Sequence, residues 1–147
     1  MLIIENSTDF DVDTKRLEMI ANTLSQKDIE CIFVNSQDML YLNLSERNIN
    51  KTTDVLSFPL DDIPHAPLGT IVINLELANL TAKELNHSPN DESALLFIHG
   101  LLHLLGFDHE IDNGEMRAKE RELIERFSLP ESLICRTIPT EQSDEES

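Results

Sequence analysis

Apolar residues change their spacing from the first half of this chain to the second. Leu2-Ile3-Ile4 is a short β-rich run closed by Asn6-Ser7. Beyond Asp13, Leu17, Ile20, Ala21 and Leu24 recur at every third or fourth position and so share one face. That spacing predicts a helix with Asp13 as its cap. Ile29 to Val34 reads as a second strand, and strand, helix, strand at this spacing predicts a right-handed crossover and a parallel pair. A second helix, capped by Ser36, carries Met39, Leu40 and Leu44 and ends near Asn48. Val55 to Pro59 and Thr70 to Leu75 predict two more strands, joined by a loop holding His65, Pro64, Pro67 and two aspartates. From Glu76 the period is helical, in three pieces: Glu76 to Asn86, Asp91 to Leu105 and Glu115 to Phe127. Strands early and helices late predict an α+β fold, a small mixed sheet of about four strands packed with helices.

One of those helices has no polar face. Leu95, Ile98, Leu102 and Leu105 line one side of Asp91 to Leu105, and Phe97, Leu101 and Leu104 another, which predicts a central buried helix. Yet it carries His99 and His103, one turn apart on one face and about 6 Å apart in rise. Gly106 permits the left-handed residue that ends a helix, and the turn can bring His109 back to the same point. His99, His103 and His109 are thus three candidate nitrogen ligands in an HxxxHxxGxxH pattern. The fourth position is open, as in catalytic rather than structural zinc sites. The competing reading is a pair of core histidines with one hydrogen bond each. Unsatisfied ring nitrogens in a core cost about 1–3 kcal/mol each, and a metal satisfies both at once. Zinc-protease helices place Glu directly after the first His as general base; Gly100 stands there, which counts against peptide hydrolysis. A phosphodiester, which mainly needs charge stabilisation, suits the remaining equipment better.

Composition narrows the partners. A chain of 147 residues suits one domain, placed at 1–138, and Pro139 to Ser147 reads as a disordered acidic tail. Eleven Lys and Arg against 28 Asp and Glu give a net charge of -17, which disfavours general affinity for nucleic acid or anionic lipid. Any RNA must therefore be held by a local site. Aromatics are 5% with no Trp, too few for a base-stacking platform. The longest apolar stretch, Ala94 to Phe107, falls short of the roughly 20 residues that cross a bilayer. No positive charge precedes an apolar run at the N-terminus, so a soluble, intracellular protein is expected. Cys31 and Cys135, far apart and in apolar company, read as buried, reduced thiols. His65 and His87 read as solvated. Glu115 to Phe127 reads as a solvated face, with Glu115/Lys119 and Glu122/Arg126 pairs, opposite Met116, Leu123 and Phe127. Asp108 is expected to bond an imidazole or a loop amide.

The block His99 to His109, HGLLHLLGFDH, resembles the signature of the YbeY endoribonucleases, HGxLHLxGYDH. Two upstream blocks agree in order and spacing. Arg47 precedes Thr53-Asp54-Val55-Leu56-Ser57-Phe58-Pro59, like the family's Arg before a T-[DN]-V-L-S-F-P strand. Leu68-Gly69-Thr70-Ile71-Val72-Ile73 is similar to its L-G-D-I-x-I. The resemblance implies a zinc-dependent, single-strand-specific endoribonuclease of the bacterial cytoplasm. It implies action in ribosomal RNA maturation, at the small-subunit 3′ end, and in ribosome quality control. One Zn2+ per chain would be held by His99, His103 and His109. Arg47, on residue type alone a surface arginine, matches the family's functionally important arginine and would act on the scissile phosphate. The implied partners are single-stranded ribosomal RNA and ribosomal subunits or assembly proteins, with no membrane and no DNA. Thr70 in place of Asp and Phe107 in place of Tyr are departures, neither at a ligand position. Two other readings stay open: a zinc-stabilised ribosome-assembly factor with little catalysis of its own, and a metallopeptidase.

Overall fold

The computed structural model describes residues 1–60, 63 and 65–130. In chain order the elements are β1 (Leu2–Asn6), α1 (Thr14–Leu24), β2 (Ile29–Val34), α2 (Ser36–Arg47) and β3 (Val55–Pro59). There follow β4 (Gly69–Asn74), α3 (Leu75–Leu85), α4 (Pro89–Leu104) and α5 (Glu115–Phe127). The four strands form one mixed sheet in the order β1-β2-β4-β3. β1 and β2 are parallel, as the strand-helix-strand spacing predicts; β2 and β4 are parallel too, and β3 runs antiparallel to β4 at the edge. The fold is α+β.

Alternation along the strands gives the sheet two faces. Ile29, Cys31 and Phe33 of β2, Ile71 and Ile73 of β4 and Val55 of β3 join the main core with α4, α1 and α5. Leu56, Val72 and Val34 point the other way and pack with Met39 of α2 in a smaller cluster. α4 is buried almost all round from Glu92 to Leu102, the central helix its apolar pattern predicts. It lies close on the sheet because Gly100 has no side chain. A Cβ there would sit 2.8 Å from Ile71 Cγ2, 3.1 Å from Ser57 Oγ and 3.3 Å from Val55 Cγ2. The Ser57 hydroxyl donates to the Gly100 carbonyl at 3.0 Å, pinning helix to edge strand.

Helix starts follow local side-chain chemistry. Asp13 accepts from Arg16 N at 3.3 Å, capping α1 as expected. Ser36 does not cap α2: it is the first helical residue, with Asn35 at the cap position. Its hydroxyl is engaged instead by Asn74 Nδ2 at 3.0 Å. The last strand stops at Asn74, whose side chain accepts from Leu77 N and caps α3. Ser88 caps α4, ahead of Pro89 at the first turn. Cys31 is a buried free thiol whose pKa is pushed far up by burial, the inert thiol expected. Cys135, the acidic tail 139–147 and loop positions 61, 62 and 64 lie outside the described residues. Among the described residues no helix is long and apolar enough to cross a membrane.

Candidate metal centre

Three imidazoles converge where α4 ends. One ring nitrogen from each of His99, His103 and His109 lies within 4.8 Å of the others. His99 and His103 meet because a helical turn stacks them on one face. His109 returns because the chain reverses at Gly106, at φ +100°, with Phe107 N bonded back to Leu102 O. Ring centroids are 4.7 Å apart for His99 and His103, and 5.7 and 6.0 Å for their approaches to His109. The turn is shaped by its own carboxylates. Asp108 accepts from Glu110 N, a loop amide as expected, and Asp112 from Gly114 N and Met116 N. Those two backbone donors hold the Asp112 carboxyl below its usual range.

Hydrogen bonds at Nδ1 fix what each ring presents. His103 Nδ1 lies 3.1 Å from the Phe107 carbonyl, which can only accept, so the proton sits on Nδ1. His99 Nδ1 lies 2.9 Å from the Glu120 carboxylate, again an acceptor. Neutral rings so arranged turn two Nε2 lone pairs toward each other, 3.2 Å apart. Two lone pairs repel unless a cation lies between them. Zinc–nitrogen bonds of 2.0–2.1 Å at a tetrahedral angle put ligand nitrogens about 3.3 Å apart, so the spacing fits that ion. His109 Nδ1 is buried with no hydrogen-bond partner among the described residues. Burial, then the neighbouring His99 and His109, lower the His103 pKa to about 4, which keeps the ring neutral and able to ligate.

The region that matches the model of the endoribonuclease YbeY family runs from residue 4 to residue 128. The chain belongs to the YbeY family. Its relatives include the endoribonuclease YbeY of Aliarcobacter butzleri, 59% identical over 92% of this chain and 99% of that one. The YbeY protein of Campylobacter jejuni RM1221 is 57% identical over 94% and 98%. That of Nitratiruptor is 56% identical over 93% and 96%. Among solved structures, the solution structure of TM1509 from Thermotoga maritima aligns with a TM-score of 0.61 at 26% identity. It covers 86% of this chain and 89% of that one.

Against the YbeY pattern, Gly100 has a physical reason. Its α-carbon faces the sheet, so a carboxylate at this position would clash with Ile71 and point away from the histidines. Thr70 donates to Glu30 Oε1 at 3.1 Å across the β2–β4 pair, on the face opposite Ile71 and α4. Phe107 packs against the core and serves the site through its backbone carbonyl. Arg47 ends α2, exposed, in the layer on the other side of the sheet, and bonds none of the three histidines.

Several expectations need correcting. α5 does expose Glu115, Glu122 and Arg126 opposite Met116 and Leu123, but Glu120 lies on the buried side, 1% exposed, and reaches His99. No spacing rule links those two, and Glu120 stands among many similar charges. Lys119 pairs with Glu122 at 3.4 Å, while Glu115 accepts from Asn113 N. His87 is not solvated; its Nε2 lies 2.8 Å from buried Glu92 on α4. Only His65, exposed in a turn, matches that reading. Asp54, within the strand motif, also lies near His99. Burial raises its carboxyl pKa, and nearby His99 opposes the shift.

Proposed function

We propose that this chain is a zinc-dependent endoribonuclease that cleaves single-stranded RNA and acts in ribosomal RNA maturation, at the small-subunit 3′ end, and in ribosome quality control. The observation that carries the reading is the convergence of three imidazoles, two of them with Nε2 lone pairs facing each other at 3.2 Å. The names of the relatives support RNA as the substrate. His99, His103 and His109 would hold one Zn2+ per chain. When bound, that ion supplies a Lewis acid for phosphoryl oxygens and a water acidified to a pKa of about 7. The chain's own part is to keep protons on the Nδ1 atoms of His99 and His103, so that both Nε2 lone pairs stay available. His99 is buried while His103 and His109 are half-buried, so the cluster opens to solvent on the side of those two rings.

Arg47 is assigned the negative charge that builds on the scissile phosphate, through a forked guanidinium suited to phosphate oxygens. That role rests on the motif match, and substrate must bridge from the histidines to reach it. A net charge of -17 opposes free RNA, so affinity comes from this local positive site and from ribosomal partners. Weak, salt-sensitive binding to naked RNA is expected, in the cytoplasm and without a membrane or DNA partner. Residues 1–138 form the proposed catalytic domain, a reading supported by the single sheet that carries all five described helices.

The test is metal analysis of protein purified without a nickel column, with cleavage of single-stranded RNA before and after chelation. Cleavage lost on chelation and restored by zinc is the expected result. Bound zinc with absent or metal-independent cleavage would overturn it and point to an assembly factor. Arg47→Ala should lower cleavage by about 10²–10³-fold while zinc content stays unchanged. Loss of zinc in that variant would remove Arg47 from the phosphate role.

A further inference from the structure

We infer that Glu120 is the positioning residue of the metal centre: its carboxylate fixes the His99 ring with Nδ1 protonated and Nε2 turned to the ion, so that α5 sets metal affinity. The inference rests on the metal-site reading above and deepens it.

Glu120 lies on a helix rich in exposed charge, yet it is 1% exposed while its neighbours Lys119 and Arg121 reach solvent more freely. A buried carboxylate is costly without polar partners, and this one lies 2.9 Å from His99 Nδ1. Met116 and Leu123 anchor the same face of α5 in the core, which holds the carboxylate in place. The support for the three rings is unequal. His103 Nδ1 meets a neutral carbonyl, Phe107 O, and His109 Nδ1 has no partner among the described residues. Among the described residues, only His99 of the three has a carboxylate at hydrogen-bond distance from its ring. A carboxylate there excludes the tautomer with the proton on Nε2, the nitrogen 3.2 Å from His103 Nε2. It also makes the ring a more basic ligand and offsets part of the charge that an ion brings to three neutral imidazoles.

Chelator-treated wild type, Glu120→Gln and Glu120→Asp are titrated with zinc against a chromophoric chelator. Urea midpoints are measured on the same metal-free samples. Histidine nitrogen correlation spectra are recorded on the zinc-loaded wild type. Glu120→Gln, whose amide can donate as well as accept, should weaken zinc binding by about 10–100-fold, and Glu120→Asp should recover part of the loss. His99 in the wild type should retain an Nδ1 proton protected from solvent exchange. Equal zinc affinity in wild type and Glu120→Gln overturns the inference, even where the urea midpoint moves. So does ligation of His99 through Nδ1, which is read from wild type alone should the variants fail to fold. Wild type that takes up no zinc at all overturns the metal centre itself, and this inference with it.

Discussion

α4 takes part in a histidine–carboxylate pair toward each end, supplying the carboxylate in one and the ring in the other, and the telling difference is what lies beyond the ring. At its start, Glu92 of α4 meets His87 from the turn after α3 at 2.8 Å. Toward its end, His99 of α4 meets Glu120 of α5 at 2.9 Å. The first pair is part-buried and the second buried; both tie α4 to a neighbouring segment, and both give a buried carboxylate a ring partner. The first pair acts as a joint between α4 and the turn after α3. In the second, the far nitrogen of the ring faces two more imidazoles. A contact that is structural at one end becomes part of the candidate metal centre at the other, because helical spacing adds His103 and a glycine turn adds His109.

The sharpest test of that difference removes a ring from each end. His103→Ala should leave a folded chain that retains no zinc, with RNA cleavage down by about 10³-fold or more once the charge-stabilising site is gone. Metal analysis and a single-stranded RNA substrate check both parts. His87→Ala should do the reverse. With Glu92 deprived of that partner, stability should fall by about 1–3 kcal/mol in urea titrations, while zinc uptake is unchanged. Loss of zinc in His87→Ala would break the comparison and join the two ends into one network. The gentlest probe is pH, applied to metal-free protein. The unfolded chain protonates His103 near the ordinary 6.5, but the folded ring resists until about 4. The contribution of His103 to stability is therefore complete above 6.5 and declines as pH falls from 6.5 toward 4. Urea midpoints across that window should drop in wild type, and His103→Gln should lack this component.

Strand and helix positions were readable because each depends on neighbours near in sequence. A short, nearly continuous apolar run marked Ile29 to Val34, Asp13 announced α1, and the all-round apolar pattern of α4 marked the centre of the core. The histidine trio was legible for the same reason, being set by one helical turn and one left-handed glycine. What escaped depends on partners far along the chain. Glu120 and His99 meet only once α5 has docked on α4. His87 resembles a loop histidine until Glu92 is placed beside it. Ser36 has the right chemistry for a cap, but Asn74, drawn in by strand pairing, takes its hydroxyl. Gly100 looked like a missing base; in three dimensions it is the point where helix and sheet come closest.

The compactness of the trio in sequence has a consequence for how the chain folds. His99, His103 and His109 need only α4 and the turn after it, a short closure with little entropy to lose. The sheet must first join β1 to β2 across α1 and then β2 to β4 across α2 and β3, contacts of much longer range. Local contacts form faster than distant ones. In a full-length chain folding from the unfolded state, the three imidazoles can therefore draw together before the sheet has closed, and Glu120, on the later α5, joins them last. On the metal-centre reading proposed above, the trio can meet its ion during refolding, with the α5 carboxylate as the latch that closes behind it.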